Sequence, residues 1–318
     1  MPTYHCYASQ GIASEIPLPE LPPADLPPDS SLHVALSDNA IIPAATDPDW
    51  QHDFVDPHGD LAFRCLRFDR DFYFDFPGIG QVRITPDDRI LIWQHDAASI
   101  ESIRHVLLDQ VLPRLLAQRG HLVLHGSAVR TPGDRVLVIL GDSGMGKSTL
   151  ASAFACSGAD VLSDDGVLLD FAPPGIRAVP GYPGLRLWPD SLGALFAERA
   201  TQSTPMSHYN DKRRLAQPVP AGNGAAAAID AILLLQPARD DRAIVIESLA
   251  PQAGCMALTR NSFQLDLGDH DNVECLFAQA AKAACETPML TLSYPRDYAL
   301  LPDVIERITS TVAALRPR

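Results

Sequence analysis

A nine-residue run, GDSGMGKST at 141–149, carries the residue types of a phosphate-binding loop at the required spacing. In the pattern G-x-x-x-x-G-K-[ST], glycines allow backbone amides to turn inward around phosphate oxygens. Lys147 supplies positive charge for the β- and γ-phosphates, and the Ser148 hydroxyl is a ligand that Mg²⁺ accepts. The run therefore predicts a site for ATP and Mg²⁺. The predicted nucleotide contacts in the loop are Gly141, Asp142, Ser143, Gly144, Met145, Gly146, Lys147, Ser148 and Thr149.

The residues on both sides of this loop favour its formation. Residues 136–140 are an uninterrupted apolar run, typical of a buried parallel strand. Residues 150–155 favour a helix, and Gly158 favours the end of that helix. Because a strand, a loop and a helix in this order aim the helix N-terminus at bound phosphates, the local context supports a functional loop.

Two adjacent carboxylates, Asp164 and Asp165, follow a short strand predicted at 160–163. The end of that strand would bring both side chains to the Mg²⁺ and the γ-phosphate. One acid can hold the metal while the other accepts the proton of an attacking hydroxyl. The alternative interpretation is a solvated Asp-Asp turn.

Further candidate side chains are a histidine and a basic cluster. His125 ends the strand predicted before residues 136–140, and neighbouring strand ends meet near the ligand in a parallel core. It could orient an acid or sense the phosphate, or it could be a structural histidine. Lys212, Arg213 and Arg214 form the only dense basic cluster of the sequence, within a segment that we predict to be irregular. They could close over a transferring phosphate or be a solvated face.

Four segments together resemble the HPr kinase/phosphorylase family and its HPr-kinase-like relatives. They are LHGSAV at 124–129, the loop itself, LSDDGVLL at 162–169 and YPGLRLWPD at 182–190. The resemblance implies a P-loop core related to phosphoenolpyruvate carboxykinase and an enzyme that phosphorylates a serine of a partner protein or peptide. It implies that His125, Lys147, Asp164 and Asp165 are catalytic. We assign Asp164 as the base and Asp165 as its support or as a metal ligand with Ser148.

The sequence also departs from that family. Bifunctional members carry a glycine-rich signature after the acid pair, whereas this chain has PGLRLWPD at 183–190, so we expect no phosphorylase activity. The N-terminal region does not look like their regulatory domain. In both respects the chain is similar to kinases that phosphorylate the C-terminal serine of lasso-peptide precursors, and the resemblance alone implies that substrate. Arg186 and the basic cluster could neutralise the transferring group or a C-terminal carboxylate.

The sequence leaves other functions open. A small-molecule kinase is one, because the acceptor pocket has no motif of its own. A non-catalytic module, in which ATP binding orders residues 201–220 and recruits a partner, is another, although the acid pair argues against it. A plain ATPase would release phosphate without any acceptor.

The remaining patterns predict an α/β fold, with a P-loop kinase core and a small β-rich N-terminal module. Residues 1–31 are a proline-rich arm, predicted to be extended or flexible. Residues 32–120 contain strand patterns at 32–36, 63–68, 72–76, 82–84 and 90–93, and then a helix at 100–116 that Pro113 should kink. Residues 121–318 form the predicted kinase domain, with strands at 229–235, 243–246 and 289–293 and helices at 273–284 and 304–315.

The composition limits the classes of partner. The chain of 318 residues is 46% hydrophobic, which is ample for a core, and its net charge of −14 argues against nucleic-acid binding. Six scattered cysteines without a C-x-x-C pair predict reduced thiols. No signal-like start or run of 18 apolar residues is found, so we expect a cytoplasmic protein without a membrane partner. The resemblance also implies a homo-oligomer.

Overall fold

The computed structural model describes residues 2–25, 31–44, 46–56, 59–181, 184–208, 210–217, 225–241 and 243–315. The chain is a mixed α/β protein with several sheets. It divides into two compact units, residues 1–112 with 205–211, and residues 113–204 with 212–318. Among the described residues, no helix is both long enough and apolar enough to cross a membrane.

The first unit contains an eight-stranded sheet with the order β1-β2-β3-β8-β7-β6-β5-β4. Its strands are β1 (Thr3–Tyr7), β2 (Gln10–Ser14), β3 (Ser31–Ser37), β4 (Trp50–Val55), β5 (Leu61–Phe68), β6 (Asp71–Phe76), β7 (Gly80–Ile84) and β8 (Arg89–Gln94). Along β7, Val82 and Ile84 are buried while Gln81 and Arg83 are less so, as expected for a strand with one face on a core. The five strands predicted in this region are confirmed.

The N-terminal residues differ from the predicted arm. Residues 2–25 contain β1 and β2, and β2 pairs in parallel with β3. Ile16, Leu18 and Leu21 are at most 4% exposed. Prolines prevent regular hydrogen bonding between these residues, but the apolar side chains that alternate with them are still buried. Residues 26–30 lie outside the described part of the chain.

The helix predicted at 100–116 forms as three consecutive segments: α1 (Ile100–Val106), a π-helical turn (Leu107–Val111) and α2 (Leu112–Gln118). The Ser99 hydroxyl accepts a hydrogen bond from the Ser102 amide and caps α1. The Leu112 amide donates to the carbonyl of Leu107, five residues earlier. Because Pro113 has no N–H group, the regular bonding pattern cannot continue through it, and the widened turn lies just before it.

The second unit is built on a six-stranded sheet with the order β12-β10-β11-β19-β21-β20. Its elements are β9 (Val123–Leu124), β10 (Gly126–Arg130), β11 (Val136–Leu140), α3 (Lys147–Cys156), β12 (Asp160–Asp164), β13 (Val167–Asp170), β14 (Arg177–Val179), β15 (Gly184–Leu187), α4 (Pro189–Phe196), β16 (Thr204–Pro205), β17 (Arg213–Ala216), β18 (Ala227–Ala228), β19 (Ala231–Leu235), β20 (Val245–Ser248), α5 (Pro251–Arg260), α6 (His270–Glu286), β21 (Met289–Ser293) and α7 (Leu301–Ala313). Short 3-10 turns occupy Ala197–Gln202 and Tyr298–Leu300.

The central strand β11 is apolar throughout because both of its faces are buried. It pairs in parallel with β19 and antiparallel with β10, and all five of its residues are buried. Leu137 and Ile139 face one core with α3 and α7, whereas Val138 faces a second core with α5 and α6. A strand covered by helices on both faces needs apolar side chains at every position.

Several elements of this unit were not predicted. They are the helices α4 and α5, the short strands β13 to β16 and β18, and the strand β17 inside the segment predicted to be irregular. All six cysteines are free thiols in this structure.

Candidate functional site

The phosphate-loop sequence lies between β11 and α3, so the predicted order of strand, loop and helix is confirmed. Gly144 and Gly146 have φ angles of 77° and 91°, in the left-handed region that favours glycine. Gly146 directly precedes the first residue of α3, Lys147. The loop therefore turns the chain so that the first amides of a ten-residue helix face its concave side.

The Lys147 ammonium is held at the centre of this loop. Its Nζ donates to the carbonyl oxygens of Gly141 at 2.7 Å and of Asp142 at 3.3 Å, and the residue is buried. Burial lowers the pKa of Lys147, and the carboxylates of Asp165 and Asp164 oppose that shift. A desolvated ammonium between carbonyl groups is well placed to contact phosphate oxygens in the loop.

Asp164 is the most enclosed carboxylate of the site, with 1% exposure. Its Oδ1 accepts hydrogen bonds from the hydroxyls of Ser127 at 2.6 Å and Ser148 at 3.0 Å, and its Oδ2 accepts from the Arg186 amide at 3.0 Å. Burial raises the pKa of Asp164, the Asp165 carboxylate adds to the rise, and Arg186 opposes it. Three fixed donors determine the orientation of this carboxylate, and one of them belongs to the phosphate-loop sequence.

Asp165 has a different environment. Its side chain is 18% exposed, and its Oδ2 lies 3.3 Å from Nε of Arg186. Its φ angle is 77°, a conformation that aspartate adopts more readily than most residues. The turn after β12 thus directs one carboxylate into the protein and leaves the next one accessible from solvent.

Arg186 connects the two carboxylates. It lies on β15 with 2% exposure, and its side chain also donates to the backbone carbonyl of Asp164. A buried guanidinium with two acidic neighbours is fixed in place by charge-assisted hydrogen bonds. Arg186 therefore holds the acid pair, and its contact with the phosphate stays a prediction.

His125 reaches the site for a reason other than the predicted parallel core. It precedes β10, which runs antiparallel to β11 and pairs Gly126 with Leu140. The start of β10 therefore lies at the same sheet edge as the end of β11. The His125 ring packs edge-on against Phe263 at 5.7 Å, and burial lowers its pKa while the Asp165 charge raises it. A neutral imidazole near the acid pair is the expected form.

The three basic residues of the cluster lie in different surroundings. Lys212 Nζ lies 5.5 Å from the ring centre of Trp188, and the Lys212 charge lowers the pKa of both His125 and Lys147. Arg213, by contrast, is bound to Ser203, with 2.6 Å from its Nε to the hydroxyl. Successive side chains of a strand point to opposite faces, so Arg213 and Arg214 of β17 point apart. The contact of Arg213 with the nucleotide stays a prediction.

Arg214 follows the alternation of β17. It is buried and lies directly opposite Arg186 in the pairing of β15 with β17. Of the cluster, Lys212 and Arg214 thus belong to the same neighbourhood as the acid pair.

The remaining loop residues lie at its rim. Asp142, Ser143 and Gly144 are exposed, and Thr149 Oγ1 lies 3.3 Å from the Ser191 hydroxyl. Sequence patterns missed two neighbours of the loop, Ser127 and Arg296. Ser127 lies within the LHGSAV segment and donates to Asp164. Knowledge of the register between β10 and β12, which pairs these two residues, would have identified the contact. Arg296, which donates to the Gly144 carbonyl at 2.8 Å, follows no motif.

The oxygen atoms beside Lys147 fit Mg²⁺. Ser148 Oγ and Asp164 Oδ1 are 3.0 Å apart, close to the roughly 2.9 Å between adjacent ligands of octahedral Mg²⁺. In the described part of the chain, no three His, Cys, Asp or Glu side chains form a metal cage. Mg²⁺ in phosphotransferases typically needs only one or two protein ligands besides phosphates and water. Ser148 remains a candidate ligand, and Asp164 fits the second position better than the predicted Asp165.

Comparisons with known proteins give little beyond this geometry. No protein-family model matches the chain, and no curated protein matches it. Among solved structures, it is similar to the HPr(Ser) kinase/phosphatase from Coxiella burnetii, at 11% identity and a TM-score of 0.30. That match covers 60% of this chain and 99% of the other. Since this likeness is too distant to carry an argument, the functional conclusion depends on the residues of the site.

Proposed function

We propose that this chain is an ATP-dependent kinase that phosphorylates a serine of a peptide or protein. The observation that carries the proposal is the hydrogen bond between Ser148 of the phosphate loop and Asp164 of the acid pair. It brings together a loop suited to phosphates and a carboxylate pair suited to metal binding and proton transfer. The motifs that resemble HPr-kinase-like enzymes support the same conclusion.

Within this site we propose that the two acids exchange the roles expected from the sequence. Asp164 is enclosed and bonded to Ser148, so it serves the metal side of the site. Asp165 is partly exposed and lies where an acceptor hydroxyl can reach it, so it serves as the base. A general base must come within hydrogen-bond reach of the proton that it removes, and the more accessible carboxylate meets that condition better.

The chain's own residues then account for each part of the transfer. Lys147 and the first amides of α3 bind the phosphates, and Ser148 and Asp164 would hold Mg²⁺, which neutralises charge on the phosphate oxygens when bound. The serine oxygen attacks the γ-phosphorus, the bond from this phosphorus to the bridging oxygen of ADP breaks, and Asp165 accepts the hydroxyl proton. Arg186 orients Asp165 through the contact at 3.3 Å.

The surface beside the acid pair supports a peptide acceptor. Trp188 is 48% exposed and lies under the Lys212 ammonium. An exposed aromatic ring can pack on a peptide, and the cation beside it can attract the carboxylate of a C-terminus. We therefore propose that the acceptor serine stands at or near a C-terminus, as in lasso-peptide precursors.

The test is mass spectrometry after incubation with Mg-ATP and a panel of acceptors. The panel contains serine-ended peptides, including a lasso-type precursor, the same peptides amidated at the C-terminus, and HPr. We expect one added phosphate on the free-acid peptides and little on the amidated ones. The Asp165→Asn variant is the matched control, because asparagine keeps the size of the side chain and tolerates the positive φ.

Other outcomes would replace the proposal. Phosphate on HPr alone would indicate a regulatory kinase. ATP binding without transfer to any peptide or protein would favour a small-molecule kinase or a non-catalytic module. Release of phosphate without an acceptor would indicate a plain ATPase.

A further inference from the structure

A short segment after β21 lies against the outer side of the phosphate loop. Arg296 donates through one terminal nitrogen to the Gly144 carbonyl at 2.8 Å and through the other to Met145 Sδ at 3.4 Å. On the same segment, the Tyr294 hydroxyl lies 3.9 Å from where a β-carbon at Gly146 would be. No sequence motif marks either residue, and the transfer mechanism uses neither.

Both ends of this segment are anchored, so Arg296 is held in position. Tyr294 packs on the apolar core beneath α3, and burial raises its pKa to about 12, which keeps the phenol neutral. At the other end, the Tyr298 hydroxyl donates to Asp190 at 3.0 Å and lies 2.9 Å from the Ser191 hydroxyl. A side chain between two fixed points loses little further freedom when a ligand binds.

The sheet order places this segment opposite the acid pair. The strands β12, β11, β19 and β21 run in the same direction, since β12 and β11 are each antiparallel to β10 and the other pairs are parallel. Their carboxyl ends share one edge, where ligands of open α/β sheets bind. From β11, the acid pair lies towards β12 and Arg296 lies towards β21.

This arrangement sets the direction of a bound nucleotide. The γ-phosphate must face Asp164 and Asp165, so the nucleoside extends away from them. A phosphate-binding loop turns its amides towards the phosphates. The Gly144 carbonyl accepts from Arg296, so we place the guanidinium outside the phosphate cradle. Arg296 is exposed, and its planar group can stack on an aromatic ring while its edge stays bonded to the loop.

On the basis of the proposed function, we infer that Arg296 binds the nucleoside half of the triphosphate, by stacking its guanidinium on the base. Tyr294 supports the loop beside it. The residue is a binding group for the nucleotide and takes no part in the transfer of phosphate.

The test compares two ligands that share their phosphates. Binding of Mg-ATP and of Mg-bound inorganic triphosphate is measured by calorimetry with the wild-type chain, Arg296→Ala and Arg296→Lys. We expect both variants to bind ATP about tenfold more weakly and triphosphate within about twofold of wild type, as expected for a lost stacking contact. Arg239→Ala is the matched control, since that exposed arginine pairs with Asp241 and should change neither affinity.

Other results would overturn the inference or separate it from the proposed kinase activity. An equal loss for both ligands would overturn the inference and make Arg296 a support of the loop, and an unchanged ATP affinity would also overturn it. If the wild-type chain binds ATP with the expected difference but phosphorylates no acceptor, the inference stands while the proposed kinase activity fails. If the wild-type chain does not bind ATP, both fail.

Discussion

The two sides of the phosphate loop differ in how deeply their charged side chains are buried and in how many contacts hold them. On the acid side, charges are largely buried: Asp164 accepts three hydrogen bonds, and the Arg186 guanidinium contacts both Asp164 and Asp165. On the arginine side, Arg296 is exposed and makes two contacts with the loop. A buried charge is costly unless it is paired and hydrogen-bonded, so the acid side tolerates little change. Under the proposed function, the enclosed side carries out the phosphate transfer and the open side binds the nucleoside.

Lys147 stands between the two sides and should give the largest effect. Replacement with alanine removes the ammonium from the loop, and we expect both ATP binding and turnover to fall, the latter by about 10³-fold or more. Calorimetry and a phosphorylation assay measure the two quantities. A variant that keeps full activity would contradict the assignment of the loop.

The acid pair should separate binding from turnover. Asp165→Asn should lower kcat by about 10²- to 10⁴-fold with Mg-ATP affinity nearly unchanged, because only a proton acceptor is lost. Asp164→Asn should instead weaken ATP binding mainly when Mg²⁺ is present. If Asp165→Asn instead weakened Mg²⁺-dependent ATP binding and Asp164→Asn lowered only kcat, Asp164 would be the base and Asp165 the metal ligand, as expected from the sequence.

Variants of Lys212 and Arg213 test which residues of the basic cluster contribute to turnover on the acid side. Lys212→Ala should lower turnover with the peptide acceptor roughly tenfold, since a hydrogen bond to a charged group contributes about 1.5 kcal/mol. Arg213→Ala, one residue away, should leave turnover unchanged because its side chain binds Ser203. Equal losses in the two variants would show that the cluster acts as a whole.

A smaller effect is expected for the pH dependence of folding stability at Asp164. The native pKa of Asp164 is raised by burial, so the native state holds this proton more tightly than the unfolded state does. As pH rises through the range between the two pKa values, the wild-type chain loses stability that Asp164→Asn does not lose. The difference in Tm, variant minus wild type, should therefore increase with pH when measured without nucleotide.

A control with the opposite sign is available in the same unit. The pKa of Asp170 is lowered by a hydrogen bond from the Ala172 amide and by Arg177. For Asp170→Asn, the same difference in Tm should decrease as pH rises through the range where this carboxyl ionises. If both variants gave slopes of the same sign, the burial of Asp164 would not explain its behaviour.

Local patterns were sufficient for much of the fold. The strands β11 and β21 were predicted at their observed bounds, and β12, α3, α6 and α7 were located to within a few residues. Each has a strong apolar pattern or a clear start signal. The helix α5 and the short strands β13 to β17 lack such a pattern, because their conformation depends on partners far away in the sequence.

The sequence by itself determined the phosphate-loop motif, its flanking strand and helix, and the adjacent acids at the end of β12. These follow from residue types and spacing within a few turns of chain. Only the tertiary structure decided which acid faces Ser148, that Arg213 points away from Lys212, and that Arg296 lies against the loop. Those facts depend on strand direction and register between distant segments, and a change of one residue in register reverses the face of every side chain.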